Sequence, residues 1–134
     1  MSGYDLLRRE VRYGRNSRID ILLSGAGRPD AYVEVKNVHL SRTKGLAEFP
    51  DSVTARGTKH LAELSDMVAA GRRAAMFYLV HRGDTAAFRL ARDIDPVYAA
   101  AFDRAVTAGV EMLAYACRVV PDEVVLTERI PILD

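Results

Sequence analysis

The hydrophobic pattern along the chain predicts a run of short strands interrupted by two helices. LLRREVRY (6–13) reads as a short strand carrying basic residues, followed by a turn at Gly14–Ser17. Two β-branched and aliphatic runs, 18–24 and 31–38, flank GAGRP and predict a hairpin. Residues 39–50 are rich in polar positions, end in Phe49-Pro50 and read as a loop. Asp51 or Ser52 is the expected N-cap of a helix running to about Ala70, with Leu61, Leu64 and Val68 on its apolar face and Gly71 as its stop. AAMFYLVH (74–81) is continuously apolar between two Gly/Arg-rich breaks, the pattern of a strand buried on both faces. A short strand is expected at 86–90. Asp95-Pro96 opens a second helix, with an acidic cap and proline at the first helical position, and Gly109 closes it. Residues 110–120 and 123–132 read as two final strands.

This order predicts an α/β (α+β) class, a mixed β-sheet flanked by helices. Length and composition suit one domain: 134 residues, 49% of them hydrophobic, with no repeat, linker or low-complexity segment. Net charge is only +1, so composition alone argues for neither a nucleic-acid nor a membrane partner. The distribution is uneven. Residues 1–73 carry 13 Lys/Arg against 9 Asp/Glu, and residues 74–134 carry 6 against 9. An anionic ligand facing the front half would account for that, and so would ordinary solvated surface. Cys117 is the single cysteine, which excludes a disulfide framework and a thiolate cage and reads as a buried inert thiol. The N-terminal MSGYDLLRREVR is too charged for a signal peptide, and no apolar run reaches membrane-spanning length; a cytoplasmic location is expected.

The hairpin carries the candidate chemistry. Asp20 interrupts RIDILL, and Glu34 and Lys36 interrupt YVEVK. Strand alternation puts Tyr32, Glu34, Lys36 and Val38 on one face and Val33 and Val35 on the other. If residues 25–29 form the connection, Ser24 opposes Asp30, Leu22 opposes Tyr32 and Asp20 opposes Glu34. Directly opposed Cβ atoms lie about 4.5–5.5 Å apart, and like charges so placed destabilise a sheet. A hard cation held between the two carboxylates turns that repulsion into ligation. Mg²⁺ or Mn²⁺ is the expected cofactor, with Asp20 and Glu34 as metal ligands and Lys36 as an electrostatic catalyst at a phosphoryl group. The plainer account is a structural Asp20–Lys36 or Glu34–Lys36 ion pair.

Asp20 followed by Glu34-Val35-Lys36 on adjacent strands resembles the PD-(D/E)XK nuclease core. The segments SRIDILL, YVEVKNVHL, FPDSVTARGTKHLAEL, IDPVYAAAFDRAVTAGVEMLAY and IPIL together resemble the C-terminal domain of the sugar fermentation stimulation protein A family, from about Tyr4 to Leu133. The resemblance implies a restriction-endonuclease-like fold, DNA binding and a regulatory link to sugar utilisation. It implies catalytic roles for Asp20, Glu34 and Lys36, with Glu10 of RREVRYG completing the acidic cluster. It also implies that the family's N-terminal OB-like domain and linking helical segment are absent, which bears on autonomous DNA binding.

A second cluster, Arg56, Lys59, His60 and Glu63, occupies two turns of the first predicted helix, where residues three and four apart share a stripe. Arg56 and Lys59, with Arg15 and Arg18 near the first turn, are the candidate contacts to a nucleic-acid backbone. Against that, Lys59–Glu63 is an ordinary helix-surface pair, His60 a satisfied half-buried histidine, and the basic strand a charged edge that resists aggregation. Gly57 within the helix implies close approach by a strand or a phosphate. His39, His60 and His81 lack zinc-ligand spacing, and no serine has a nucleophile-elbow context. Three readings follow: a metal-dependent nuclease acting on nucleic acid, with DNA expected; a non-catalytic DNA-binding regulator linked to sugar metabolism; and a homodimer paired through a sheet edge.

Overall fold

The computed structural model describes the backbone of residues 6–13, 17–25, 28–81, 84–120 and 123–133, and the side chains of residues 30–81, 84–118 and 125–133. Three strands open the chain: β1 (Leu6–Tyr13), β2 (Ser17–Gly25) and β3 (Arg28–Val38), joined antiparallel. Leu22 pairs with Tyr32, as the alternation requires. The connection is tighter than the GAGRP run implied, because pairing continues to Gly25 and Arg28 after an irregularity between Leu23 and Gly25. β6 (Arg73–Val80) runs parallel to β3, and β8 (Glu111–Val120) parallel to β6. β9 (Glu123–Arg129) closes the sheet antiparallel to β8, in the order β1-β2-β3-β6-β8-β9.

A second sheet replaces the expected loop at 39–50. β4 (Leu40–Thr43) and β5 (Leu46–Phe49) form a hairpin around Gly45, whose φ of 80° is open to glycine at no steric cost. β5 pairs in parallel with β7 (Ala87–Leu90), and β7 with β10 (Ile132–Leu133). The predicted strand over 123–132 is therefore two strands serving two sheets. The buried Glu48 of β5 is held by the Arg42 guanidinium at 2.8 Å, which also grips Asp93 at 2.7 Å. That charge-assisted contact keeps the Glu48 carboxyl below its usual range and Asp93 near about 2.

α1 (Ala55–Ala69) and α2 (Pro96–Ala108) lie against one another and carry the core. The N-cap of α1 is Thr54, not Asp51 or Ser52: its Oγ1 accepts from the Gly57 N–H at 3.0 Å. Asp95 decides the matter from the other helix. One of its carboxylate oxygens accepts from the Thr54 N–H at 2.8 Å and the other from the Tyr98 N–H at 3.0 Å, so one acid caps α2 and anchors the start of α1. α2 ends at Gly109 with φ of 107°, the left-handed close that its sequence predicts. Gly57 is needed because a Cβ there would lie 3.0 Å from the Tyr98 ring and 2.9 Å from Thr54 Oγ1. The close approach is by an aromatic ring of α2 and the helix's own cap, instead of a strand or a phosphate.

Asp95→Ala is expected to cost about 2–3 kcal/mol, from a lost cap and a stranded backbone donor. The two backbone N–H groups, Thr54 first, hold the Asp95 carboxyl below its usual value. A depressed folded value means the contribution is fully present above the unfolded value of about 3.9 and is lost as pH falls through the lower folded one. Urea midpoints of the wild type and variant should therefore converge as pH drops from about 6 towards about 2.5. A gap independent of pH would show that the carboxylate charge is not the source.

Candidate functional site

Glu34 lies at the centre of β3 and is 3% exposed. Its neighbours in register are Met76 on β6 and, beyond it, Met112 on β8. On the other side the β2–β3 ladder runs from Gly25↔Arg28 to Ile21↔Val33 and ends there, one residue short of Asp20 and Glu34. Between β1 and β2 the pairs Arg9↔Ile21 and Val11↔Ile19 bracket Glu10 and Asp20. By backbone register Glu10 lies level with Asp20, and Glu34 lies level with Met76 and Met112; the expected Asp20–Glu34 pair is one residue beyond the last β2–β3 pair. The side chains of Glu10, Arg18 and Asp20 and the whole of Arg15 fall outside the described residues.

Lys36 stands two residues on from Glu34, level with Tyr78 of β6. α1 packs against β3 and β6 and buries His60, Leu61, Glu63 and Leu64, while its Gly57 faces Tyr98 of α2. His60, 4% exposed, therefore meets the strand: its Nδ1 is 3.0 Å from Lys36 Nζ and 3.3 Å from Glu34 Oε1. The helical cluster divides. His60 and Glu63 are buried, whereas Arg56 and Lys59 are exposed, with Lys59 Nζ 3.8 Å from Glu63 Oε1. The structure thus brings Glu34, Lys36 and His60 together and leaves Arg56 and Lys59 on the solvent side of the same helix. His60 is fully buried, not half-buried, and is part of the site. The signal in the sequence was a histidine at a core-facing helical position beside two leucines.

A pair of buried phenols forms the floor. The Tyr78 and Tyr98 hydroxyls are 2.5 Å apart. Burial pushes both up; the negative field of Glu34 adds to the rise at Tyr98, which places that hydroxyl within electrostatic range of the carboxylate. Phe49 packs edge-on to Tyr98 with centroids 5.3 Å apart, and Phe88 stacks on Tyr78 at 4.6 Å.

Elsewhere, His39 and His81 stack with centroids 4.8 Å apart, an association their spacing did not announce. Burial and then the neighbouring His39 lower His81. Cys117 is buried and donates to the Val80 carbonyl at 3.4 Å, and burial pushes its thiol up, as expected of an inert group. Among the described residues no three His, Cys, Asp or Glu side chains gather as a metal centre. Nor is any described helix long and apolar enough to cross a membrane.

These elements define a mixed α/β domain with a restriction-endonuclease-like core, whose parallel centre β3-β6-β8 carries a Glu-x-Lys with the acid buried and the lysine partly buried. The model of the sugar fermentation stimulation protein RE domain matches residues 1–123, and the chain belongs to that family. A sugar fermentation stimulation protein homolog of Sinorhizobium medicae is 65% identical over 127 residues, 95% of this chain and 53% of the relative. The Brucella ovis homolog is 55% identical over 134 residues, all of this chain and 56% of the relative. The chain thus spans about half the length of the curated relatives it matches. The solved structure of Pyrococcus furiosus SfsA in complex with Ca²⁺ superposes with a TM-score of 0.86 at 27% identity, over 98% of this chain and 56% of that one.

Proposed function

We propose that this domain is a metal-dependent phosphodiesterase acting on DNA. The observation that carries the reading is a carboxylate, Glu34, buried at the centre of a sheet, with Lys36 on its face and Asp20 on the adjacent strand, one residue beyond the last β2–β3 pair. A fold that needed only packing would fill this row with the Met76 and Met112 that continue it. The Pyrococcus relative was solved in complex with Ca²⁺, which supports a divalent cation as the metal to test.

Hard oxygen donors suit Mg²⁺ or Mn²⁺, and Asp20 and Glu34, with Glu10 level with Asp20, would hold it. Such an ion, when bound, supplies Lewis-acid stabilisation and lowers the pKa of bound water. Lys36 presents its ammonium to the non-bridging phosphoryl oxygens, where a cation fixed before the reaction is most effective. Arg56 and Lys59, exposed on α1, and Arg15 and Arg18 near the β1–β2 turn are offered as sequence-independent contacts to the phosphodiester backbone.

Calorimetry with Ca²⁺ and Mn²⁺, paired with cleavage of single-stranded, duplex and branched DNA, tests the proposal. Saturable metal binding that Asp20→Asn abolishes, and Mn²⁺-dependent cleavage that Lys36→Ala reduces by about 10²–10³-fold, are the expected results. No metal binding, with DNA affinity that falls steeply with salt, would overturn it in favour of a non-catalytic DNA-binding regulator.

A further inference from the structure

Lys36 is a flexible four-carbon amine, yet an electrostatic catalyst acts only when its charge is held in place before the reaction. One contact that fixes it comes from the helix α1. His60 Nδ1 lies 3.0 Å from Lys36 Nζ. A lysine ammonium can only donate, so Nδ1 is the acceptor and the ring carries its proton on Nε2. The same nitrogen stands 3.3 Å from Glu34 Oε1. Its single lone pair cannot both accept from the lysine and donate to the carboxylate, so the shorter, lysine contact sets the tautomer.

The imidazole is itself well fixed. It is 4% exposed and lies on α1 between the cap at Thr54 and the buried Leu61 and Leu64. One turn earlier, Gly57 lets the helix approach α2 to where a Cβ would lie 3.0 Å from the Tyr98 ring, which seats α1 against α2.

We propose that His60 is the positioning residue of this site: its Nδ1 accepts from the Lys36 ammonium and fixes Nζ beside Glu34. The inference rests on the phosphodiesterase reading and adds a residue to it from a different element, the helix.

The test compares wild type, His60→Ala and His60→Asn, the last keeping an acceptor near the position of Nδ1. Kinetics of Mn²⁺-dependent DNA cleavage, Ca²⁺ calorimetry, thermal melting and ¹⁵N NMR of the histidine rings are read together. The expected result is a kcat reduced by about 10–100-fold in His60→Ala, with KM and Ca²⁺ affinity within about threefold of wild type, as for a group that orients and does not ligate. His60→Asn should recover most of kcat, and the wild-type His60 ring should show the Nε2–H tautomer. An Nδ1–H tautomer, an unchanged kcat in His60→Ala, or a loss that tracks melting temperature and is not restored by asparagine would overturn the inference. A wild type that cleaves no DNA refutes the phosphodiesterase reading instead, and the tautomer alone then decides whether His60 accepts from Lys36.

Discussion

Glu34→Gln is expected to remove about 10²–10³-fold of the metal-dependent cleavage rate while moving folding stability by less than about 1 kcal/mol. Glutamine keeps the shape of the side chain, so the row that runs on into Met76 and Met112 repacks without a cavity. Two electrostatic changes oppose each other. Removing a carboxylate that is 3% exposed relieves the cost of keeping that charge out of water. It also ends the attraction to Lys36, which is only partly buried and keeps access to solvent. The chemistry has no such compensation, because an amide is a poor ligand for a hard dication. The measurement is a urea unfolding curve beside an Mn²⁺ titration of activity on the same preparation. If Glu34 were half of a structural ion pair, the pattern would invert: stability would fall by several kcal/mol and metal affinity would not change.

Tyr98→Ala is expected to cost about 3–5 kcal/mol, a drop in melting temperature of roughly 10–20 °C for a chain of this size. Tyr98 is fully buried on α2 and touches three parts of the fold at once. Its ring meets Phe49 of the second sheet edge-on, its edge abuts Gly57 of α1, and its hydroxyl bonds Tyr78 of the main sheet. Truncation opens a cavity at the junction of both sheets and both helices, and strands the Tyr78 hydroxyl. Tyr98→Phe separates these contributions. It keeps the ring and removes only the phenol pair, so a loss of about 1–2 kcal/mol is expected. Differential scanning calorimetry of the two variants decides. Equal losses would assign the effect to the hydroxyl pair, and losses below about 1 kcal/mol in both would mean the site relaxes around the missing ring.

How much of this was legible depended on how local the cause was. The faces of the hairpin could be read from alternation in RIDILL and YVEVK, and the expected Leu22–Tyr32 pair is present, but the expected Ser24–Asp30 pair is lost to the irregularity between Leu23 and Gly25, which no periodicity announces. α2 could be read because its cap, its first-turn proline and its closing glycine all lie within the segment. β6 announced itself as an uninterrupted apolar run, as a central parallel strand must.

The pair β4 and β5 could not be read. Their residues look like loop text, and they become strands because β7, about forty residues later, supplies the partner edge. The cap of α1 could not be read either, because Thr54 is chosen over Asp51 and Ser52 by a carboxylate on the other helix. The same holds for the division of residues 123–132, where one apolar run feeds two sheets.

The candidate site divides along the same line. Sequence alone determined that acids and a lysine interrupt two paired strands, because the period of a strand puts Glu34 and Lys36 on one face whatever surrounds them. It grouped His60 with Arg56, Lys59 and Glu63 on one helical stripe, which the structure divides. Only the tertiary structure decided that the His60 side of the helix meets this strand, turning a half-buried histidine into the partner of Lys36 at 3.0 Å. The periodicity of one element is written in its own residues. The meeting of two elements is set by the core between them, here with the Gly57–Tyr98 approach that lets α1 settle close to α2.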